Sequence, residues 1–248
     1  SASSTLIFNR NSKDINQTMF SYMCTDKNIA KSRAVIVVRE TDMQSSLLKK
    51  LIHAEIPTYL MWDDDFLLLS KEKAFNLNIT ENSFRKVAKE LHGLIFTSDY
   101  FYETYKEKKY NKHNYLLNPI YLDELEKEIS FVKNNKINIA FTGGIWRIED
   151  FKKILLEVLN SLKKDIDITL YLPEDRKMKN YFYENEVNFS IFWYDITLSY
   201  DQLINKLGDK NIHILIHPAK KNSNNKNKTK NALITASLLG AVLITTDE

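Results

Sequence analysis

Two segments of the chain carry residues that could bind a phosphate group. Gly143 and Gly144 follow an apolar run and precede a helical pattern, so backbone N–H groups there can approach a phosphate closely. Arg147 comes just after this turn, where a guanidinium can form paired hydrogen bonds with a diphosphate. Lys228 and Lys230 lie at the start of another helical pattern, whose N-terminus favours the same ligand. The alternatives are a tight turn, a surface arginine and a solvated lysine-rich loop.

Three consecutive carboxylates follow a different apolar run. Asp63, Asp64 and Asp65 come after Pro57–Trp62, at the predicted carboxyl end of a parallel strand, which is where α/β folds place their ligands. The sequence does not identify a catalytic residue, and these three are the candidates, because a carboxylate at that edge can accept a proton from a hydroxyl group. The alternatives are a magnesium site and acidic caps at a strand-to-helix turn.

Histidine and cysteine usage predicts no structural metal site, and we expect no cofactor. The five histidines have no ligand spacing, and the single cysteine, Cys24, excludes an internal disulfide and a thiolate zinc cluster. His217 follows a strand pattern in the second half and is a further candidate for lining the ligand pocket, the alternative being a loop histidine with no role. One cysteine also fits a reducing, cytoplasmic location.

Four aromatic residues follow a predicted strand in the second half and offer two interpretations. They either stack on a nucleobase or belong to the core, which is the commoner place for aromatics near a strand end. These residues are Phe189, Phe192, Trp193 and Tyr194.

Short β-branched runs alternate with amphipathic helical patterns along the chain, which predicts an α/β fold with mainly parallel sheets. Helices are predicted between the strands, including Asp99–Lys108 behind the capping residue Ser98 and Asn231–Leu239 near the end. The predicted strands are Ala34–Val38, Pro57–Trp62, Gly93–Thr97, Tyr115–Leu117, Ile137–Thr142, Ile166–Leu172, Val187–Phe192, Ile212–Ile216 and Ala241–Thr245.

The alternation restarts at Ile137 after a charged stretch, which predicts two Rossmann-like domains. We place the first at residues 1–122, a connector at 123–136 and the second at 137–248. Little before Ala34 resembles a βα unit, and the pattern stops on a strand, so we expect both domains to be incomplete.

Composition excludes several functional classes. The 35 basic and 32 acidic residues give a net charge of +3, too balanced for a nucleic-acid binder. No apolar run reaches the roughly 20 residues that cross a bilayer. A content of 44% hydrophobic residues is enough to build packed cores.

Three segments together resemble the GT-B glycosyltransferases, especially the retaining families that use nucleotide sugars to build bacterial surface polysaccharides. These segments are Ala34–Leu68, Ile139–Gly144 with Arg147, and Asn227–Asp247. The resemblance implies a nucleotide-sugar donor on the second domain, bound by Gly143, Gly144, Arg147, His217, Lys228 and Lys230. It implies a saccharide or lipid-linked acceptor on the first domain and no metal, and it leaves peripheral membrane association open.

The chain departs from the family pattern at the donor-site helix. Thr235 stands five residues before Gly240, where the family often has a ribose-binding glutamate. Ala241 replaces an expected proline, and Ala232 replaces a lysine. These departures favour a second hypothesis, a non-catalytic GT-B-like module of a larger polysaccharide-assembly protein. A third is another enzyme with paired Rossmann domains, such as a sugar-nucleotide epimerase.

Overall fold

The computed structural model describes residues 23–72, 76–117, 136–143, 151–162, 166–218 and 231–245. Within these ranges the strands form two parallel sheets, and the chain divides into two compact units that each hold one sheet. We call them the first unit and the second unit. The predicted α/β class and parallel sheets are confirmed. The connector at 123–136 lies almost wholly outside the described residues, so the domain bounds stay a prediction.

The first unit is built on four parallel strands in the order β1-β2-β3-β4, each added beside the previous one. They are β1 (Val35–Val38), β2 (Thr58–Trp62), β3 (Gly93–Phe96) and β4 (Asn114–Leu116). The helices are α1 (Asp26–Lys31), α2 (Ser46–His53), α3 (Phe66–Lys71), α4 (Glu81–Glu90) and α5 (Asp99–Lys108).

Side-chain caps determine where the helices of the first unit begin. Ser45, Asp65, Thr80 and Ser98 each accept a hydrogen bond from a backbone N–H in the first helical turn, which would otherwise lack a partner. These caps therefore fix the points where the chain leaves the sheet and turns back along it.

All five described helices of the first unit pack against the same face of its sheet. Their buried side chains form one cluster with alternate strand residues, as the two-residue period of a strand requires. Large aromatics fill the centre of this cluster: Trp62, Phe84, Phe96, Phe101 and Tyr105. On the opposite face Met61 and Ile95 form a separate small cluster with Val38, Tyr59 and Leu117.

Gly93 begins β3 at a place with no room for a side chain. A Cβ atom there would lie 2.7 Å from Cε2 of Tyr115 and 3.1 Å from the carbonyl oxygen of His113. We expect Gly93→Ala to lower the free energy of unfolding by about 1–3 kcal/mol, because overpacking forces neighbours to shift. Urea denaturation measures this loss. Adding Tyr115→Ala should recover part of it, and no recovery would place the strain at the His113 carbonyl oxygen or the Tyr59 ring, each 3.1 Å from the added Cβ atom.

The second unit is built on five parallel strands in the order β7-β6-β5-β8-β9. They are β5 (Lys136–Phe141), β6 (Asp167–Pro173), β7 (Ser190–Tyr194), β8 (Ile214–His217) and β9 (Val242–Thr245). Its described helices are α6 (Lys152–Ser161), α7 (Arg176–Glu184), α8 (Tyr200–Gly208) and α9 (Asn231–Leu239).

Helices cover both faces of the second sheet. The buried residues of α6 and α7 join Ile139, Phe141 and Leu170 in one cluster. Tyr171 and Phe192 alternate with the strand residues of this cluster, so their side chains lie on the opposite face of the sheet. Lys206 of α8 lies over the Phe192 ring on that face. The next helix, α9, contacts α8 as well as β8 and β9. The second sheet is therefore wound in both directions.

The predicted strands other than Val187–Phe192 agree with the observed ones to within two residues at each end, and three larger differences remain. Helices α1 and α3 were not predicted, because each is a single short stretch with too few turns to show a helical period. The predicted strand Val187–Phe192 is wrong in its bounds, since β7 begins at Ser190 and ends at Tyr194. Register decides this, because Thr169 to Pro173 of β6 pair with Ser190 to Tyr194.

Candidate functional site

The strand order of the second sheet creates a switch point between β5 and β8. The chain runs outward from β5 to β6 and β7, then returns to add β8 on the other side of β5. The next described helices after β5 and β8, which are α6 and α9, therefore lie on opposite faces of the sheet. In open parallel sheets this divergence opens a crevice at the carboxyl ends of the two strands, where ligands bind.

Gly143 and His217 lie at this switch point. Gly143 is the second residue after β5 and His217 is the last residue of β8, so the structure brings these two predicted site residues together. The Nδ1 atom of His217 is 3.3 Å from the carbonyl oxygen of Thr142. Gly143 has a φ of 142°, a backbone conformation that favours glycine. Thr245 also donates a hydrogen bond to the carbonyl oxygen of His217, at 3.0 Å.

A histidine at the other end of the same strands fixes their register. His213 donates its backbone N–H to the carbonyl oxygen of Asn138 at 2.9 Å, and its Nδ1 accepts the backbone N–H of Asn138 at 2.9 Å. The Asn138 side chain donates to the carbonyl oxygen of Lys210. These buried bonds hold β5 and β8 side by side, so the residues that end the two strands remain neighbours.

The remaining donor-site candidates lie outside the described residues. These are Gly144, Arg147, Lys228 and Lys230, and their participation stays a prediction. The described part of the candidate site is thus the strand ends alone.

Thr235 occupies the position where the family resemblance expects a carboxylate. It is 4% exposed, and its hydroxyl donates to the carbonyl oxygen of Asn231 at 2.7 Å. The Tyr200 hydroxyl lies 2.9 Å from the Thr235 Oγ1 and so ties α8 to α9. The threonine hydroxyl therefore serves helix packing in this structure.

The aromatic residues near β7 lie mostly within the strand, which corrects the expectation that they follow one. Phe189 and Trp193 pack against the core cluster of the second unit. Tyr194 is buried and donates its hydroxyl to the carbonyl oxygen of Phe141 at 2.7 Å. Burial raises the pKa of this hydroxyl above its ordinary value. Phe192 lies on the other face, partly exposed, beside Tyr171.

Asp65 acts as a structural residue in the first unit. Its carboxylate accepts the backbone N–H of Leu68 at 3.0 Å and so caps α3. It also accepts the hydroxyl of Tyr105 at 2.7 Å inside the core. Burial, followed by the charge of Asp65, raises the pKa of the Tyr105 hydroxyl far above its ordinary value. These contacts match the helix-capping alternative for this member of the triplet.

Asp63 and Asp64 both pair with Arg39, a residue that the sequence analysis did not predict as part of a site. Arg39 follows β1, and its Nε lies 2.5 Å from Asp63 while its Nη2 lies 2.6 Å from Asp64. Burial of the guanidinium acts to lower the pKa of Arg39, but the two carboxylates outweigh it and the pKa is raised. The sequence did contain a signal for this contact. Arg39 directly follows one predicted strand, and the aspartates directly follow the next predicted strand along the chain.

The described residues contain no group of three or more histidine, cysteine, aspartate or glutamate side chains that could hold a metal ion. The aspartate triplet is divided, because Asp63 and Asp64 bind Arg39 while Asp65 turns to α3 and Tyr105. No helix in the described ranges has the length and apolar character needed to span a membrane.

No protein-family model matches the chain, and no curated protein is similar to it in sequence. Solved structures with a related arrangement include TarM, at 9% identity and a TM-score of 0.43 over 79% of this chain and 47% of that chain. The GtfA/B complex matches at 8% identity and a TM-score of 0.40, over 82% of this chain and 50% of that one. This chain therefore spans about half the length of either. CobK precorrin-6A reductase matches at 10% identity and a TM-score of 0.34, over 86% and 88%.

Proposed function

We propose that the chain is part of a glycosyltransferase that takes a sugar from a nucleotide-sugar donor bound by the second unit. The observation that carries the proposal is the switch point between β5 and β8, which has Gly143 and His217 at its edge. Parallel sheets wound in both directions bind nucleotides at such a crevice. The GT-B resemblance of the same segments supplies the reaction class.

Leaving-group stabilisation is the main chemical task of such a site. The diphosphate gains negative charge as the bond to the sugar breaks, so fixed hydrogen-bond donors around it lower the barrier. In this proposal backbone N–H groups after β5 face the diphosphate, and His217 at the neighbouring strand end donates from Nε2 as an imidazolium, because its Nδ1 lies 3.3 Å from the carbonyl oxygen of Thr142. In this proposal Gly144, Arg147, Lys228 and Lys230 complete the phosphate site, and no metal takes part.

The proposed acceptor is a saccharide or a lipid-linked saccharide of the kind used in bacterial surface polysaccharide synthesis. The first unit would hold it, near the carboxyl edge of its sheet, where Asp63 and Asp64 lie. A carboxylate there can accept the proton of the attacking hydroxyl. We place the reaction in the cytoplasm, because a nucleotide-sugar donor and a chain with one cysteine both fit that reducing compartment.

His217→Ala is expected to weaken the binding of a nucleoside diphosphate by about 1–3 kcal/mol, the range for losing a hydrogen bond to a charged group. Isothermal titration calorimetry with UDP, GDP and ADP measures this loss. His53→Ala is the matched control, because His53 is an exposed residue at the end of α2 in the first unit. Equal affinities in wild type and His217→Ala would remove His217 from the site.

A second candidate function is a GT-B-like module that binds nucleotide or glycan without turnover. The observation that favours it is Thr235, whose hydroxyl is bonded within the protein at the position expected to hold the ribose. The two functions differ in a simple assay. Release of free nucleoside diphosphate from a nucleotide sugar supports the transferase, whereas binding without release supports the module.

A further inference from the structure

We propose that the second unit binds a second copy of this chain through an apolar groove on one face of its sheet. The wall of the groove is one flank of α6, and its floor is the part of the sheet formed by β8 and β9. In the proposed dimer, α6 of each copy lies in the groove of the other. The contact involves the second unit alone, and it does not depend on the binding of a nucleotide or a sugar.

The floor of the groove is the uncovered end of a row of apolar side chains that crosses the sheet. Strand register places these residues side by side on one face: Leu170, Ile139, Ile214 and Val242. The first two are buried in the cluster formed with α6 and α7, Ile214 is half-buried, and Val242 is half exposed. Ile244, two residues further along β9, is exposed to the same degree. The floor therefore opens towards β9.

None of the described helices covers this face of β8 and β9. Helices α6 and α7 pack over β5 and β6, in the middle of the sheet and towards its other edge. Helix α9 contacts β8 and β9, but it lies with α8 on the opposite face. The face that α6 shares with β8 and β9 is thus left with room for one more helix.

The wall of the groove is a stripe of aliphatic residues on α6. Ile154, Val158 and Leu162 recur every four residues, so they share one flank of the helix. Asn160 marks the other flank, because its side chain accepts the backbone N–H of Asn188 at 3.0 Å, just before β7. Val158 precedes Asn160 by two residues, which is about 200° around a helix, so the stripe faces away from β7 and towards β8 and β9.

The apolar area of the groove is large enough for the core of an interface. The five aliphatic residues of the floor and wall are each between 47% and 56% exposed. Single exposed aliphatics are ordinary, but a contiguous patch of about 400 Å² marks an interaction surface. A standard interface buries about 800 Å² on each partner, and somewhat more than half of that area is apolar. The groove can therefore supply most of the apolar part of such an interface.

A second copy fits the groove because the same surface carries both halves of the contact. Adjacent strands lie about 5 Å apart, so β8 and β9 form a strip about 10 Å wide, which is the diameter of one helix. Helix α6 stands beside this strip with an apolar flank that is itself uncovered. A two-fold axis between two copies would place each α6 on the strip of the other, so that one arrangement covers both surfaces in each copy.

The charges beside the stripe do not oppose contact between identical surfaces. Lys153 and Glu157 lie on the solvent side of α6, and they pair with each other with Nζ and Oε1 4.0 Å apart. Their charges cancel within each copy. Two copies therefore do not meet with net charge of the same sign at this place, which would weaken their association.

Sedimentation velocity on the full chain, without nucleotide, tests the proposal. We expect a monomer–dimer equilibrium with a Kd of about 10 µM or lower. Val158→Lys should raise this Kd at least about tenfold, because the ammonium group would be buried against the partner without a counter-charge. Val158 is 47% exposed within one copy, so the variant should fold like wild type, and its circular dichroism spectrum checks this.

A mixture of two variants tests whether α6 meets the floor of the groove. Val242→Glu changes the floor and should also raise the Kd of its own dimer. Mixed with Val158→Lys, it should restore dimers, because one lysine then faces one glutamate while the second contact keeps both native valines. A mixture that associates no better than either variant alone would contradict the packing of α6 on β8 and β9.

Leu233→Lys is the matched control. Leu233 is 53% exposed, much like Val158, but it belongs to α9 on the opposite face of the sheet. This variant should dimerise like wild type. The proposal is overturned by a wild type that stays monomeric at all concentrations, by equal loss of association in Leu233→Lys and Val158→Lys, or by Val158→Lys that dimerises like wild type. The first of these results would leave the groove to an amphipathic helix of a different protein.

Discussion

Trp62→Ala is expected to lower the free energy of unfolding by about 3–5 kcal/mol, the range for removing a large aromatic side chain from a core. Trp62 is 1% exposed and stacks on Phe84 with ring centroids 4.5 Å apart. Its edge contacts reach Phe66 and Tyr105, and its Nε1 donates to the carbonyl oxygen of Glu40 at 3.0 Å. Alanine would leave a cavity and also an unpaired carbonyl group beside the residues that follow β1.

Urea denaturation followed by circular dichroism measures the effect of Trp62→Ala. Trp62→Phe retains most of the ring packing and removes the N–H donor, so we expect a smaller loss of about 1–2 kcal/mol. Tyr183→Ala is the surface control, because Tyr183 is 82% exposed and should change stability by about 0.5 kcal/mol or less. If Trp62→Ala were no more destabilising than Tyr183→Ala, this aromatic cluster would not be the core of the first unit.

Arg39→Ala is expected to lower the free energy of unfolding by about 2–4 kcal/mol. Removing one partner of a buried ion pair typically costs 3–5 kcal/mol, and the lower range applies because the Arg39 side chain is 43% exposed to screening solvent. The loss arises from Asp63, whose side chain is only 6% exposed and would keep a carboxylate without its cation. Alanine has a Cβ atom as arginine does, so the left-handed backbone at this position is equally unfavourable in both proteins.

Arg85→Ala is a closely matched control for Arg39→Ala. The Arg85 side chain is 44% exposed, and it also lies over an aromatic ring, that of Tyr110. Its partner Glu81 is 42% exposed, so the pair should contribute only about 0.3–0.5 kcal/mol. The double variant Arg39→Ala with Asp63→Asn should recover part of the loss of Arg39→Ala, because the amide needs no cation. Equal losses at Arg39 and Arg85 would contradict a special role for Asp63 burial.

Gly143 and His217, the two described residues of the candidate donor site, were both singled out from the sequence. Gly143 was identified as a turn after an apolar run, and His217 as a residue at a strand end. The family resemblance put them in one site, but local patterns did not, because their contact depends on β8 returning to the side of β5 across more than seventy residues. Arg39 was missed for the same reason, since its two partners stand on the neighbouring strand.

The sequence by itself determined the α/β class, the nine strands that the described residues form and most of their positions. Helix Asp99–Lys108 agrees with its predicted bounds because the Ser98 cap is a local property of the chain. Helix Asn231–Leu239 ends where predicted because Gly240 follows it with a left-handed φ of 64°. The aspartate triplet was also identified from the sequence. Three adjacent aspartates, however, gave no indication that their carboxylates bind different partners.

Only the tertiary structure decided the strand order, the register of β7 and the partners of each aspartate. Strand order is set by which buried faces pack together, and many orders are compatible with one alternating pattern. The placement of β7 follows from pairing with β6, not from its own apolar run. Asp65 turned inward to Tyr105, and Asp63 and Asp64 turned to Arg39, because burying a carboxylate requires a partner that only the folded chain can bring within reach.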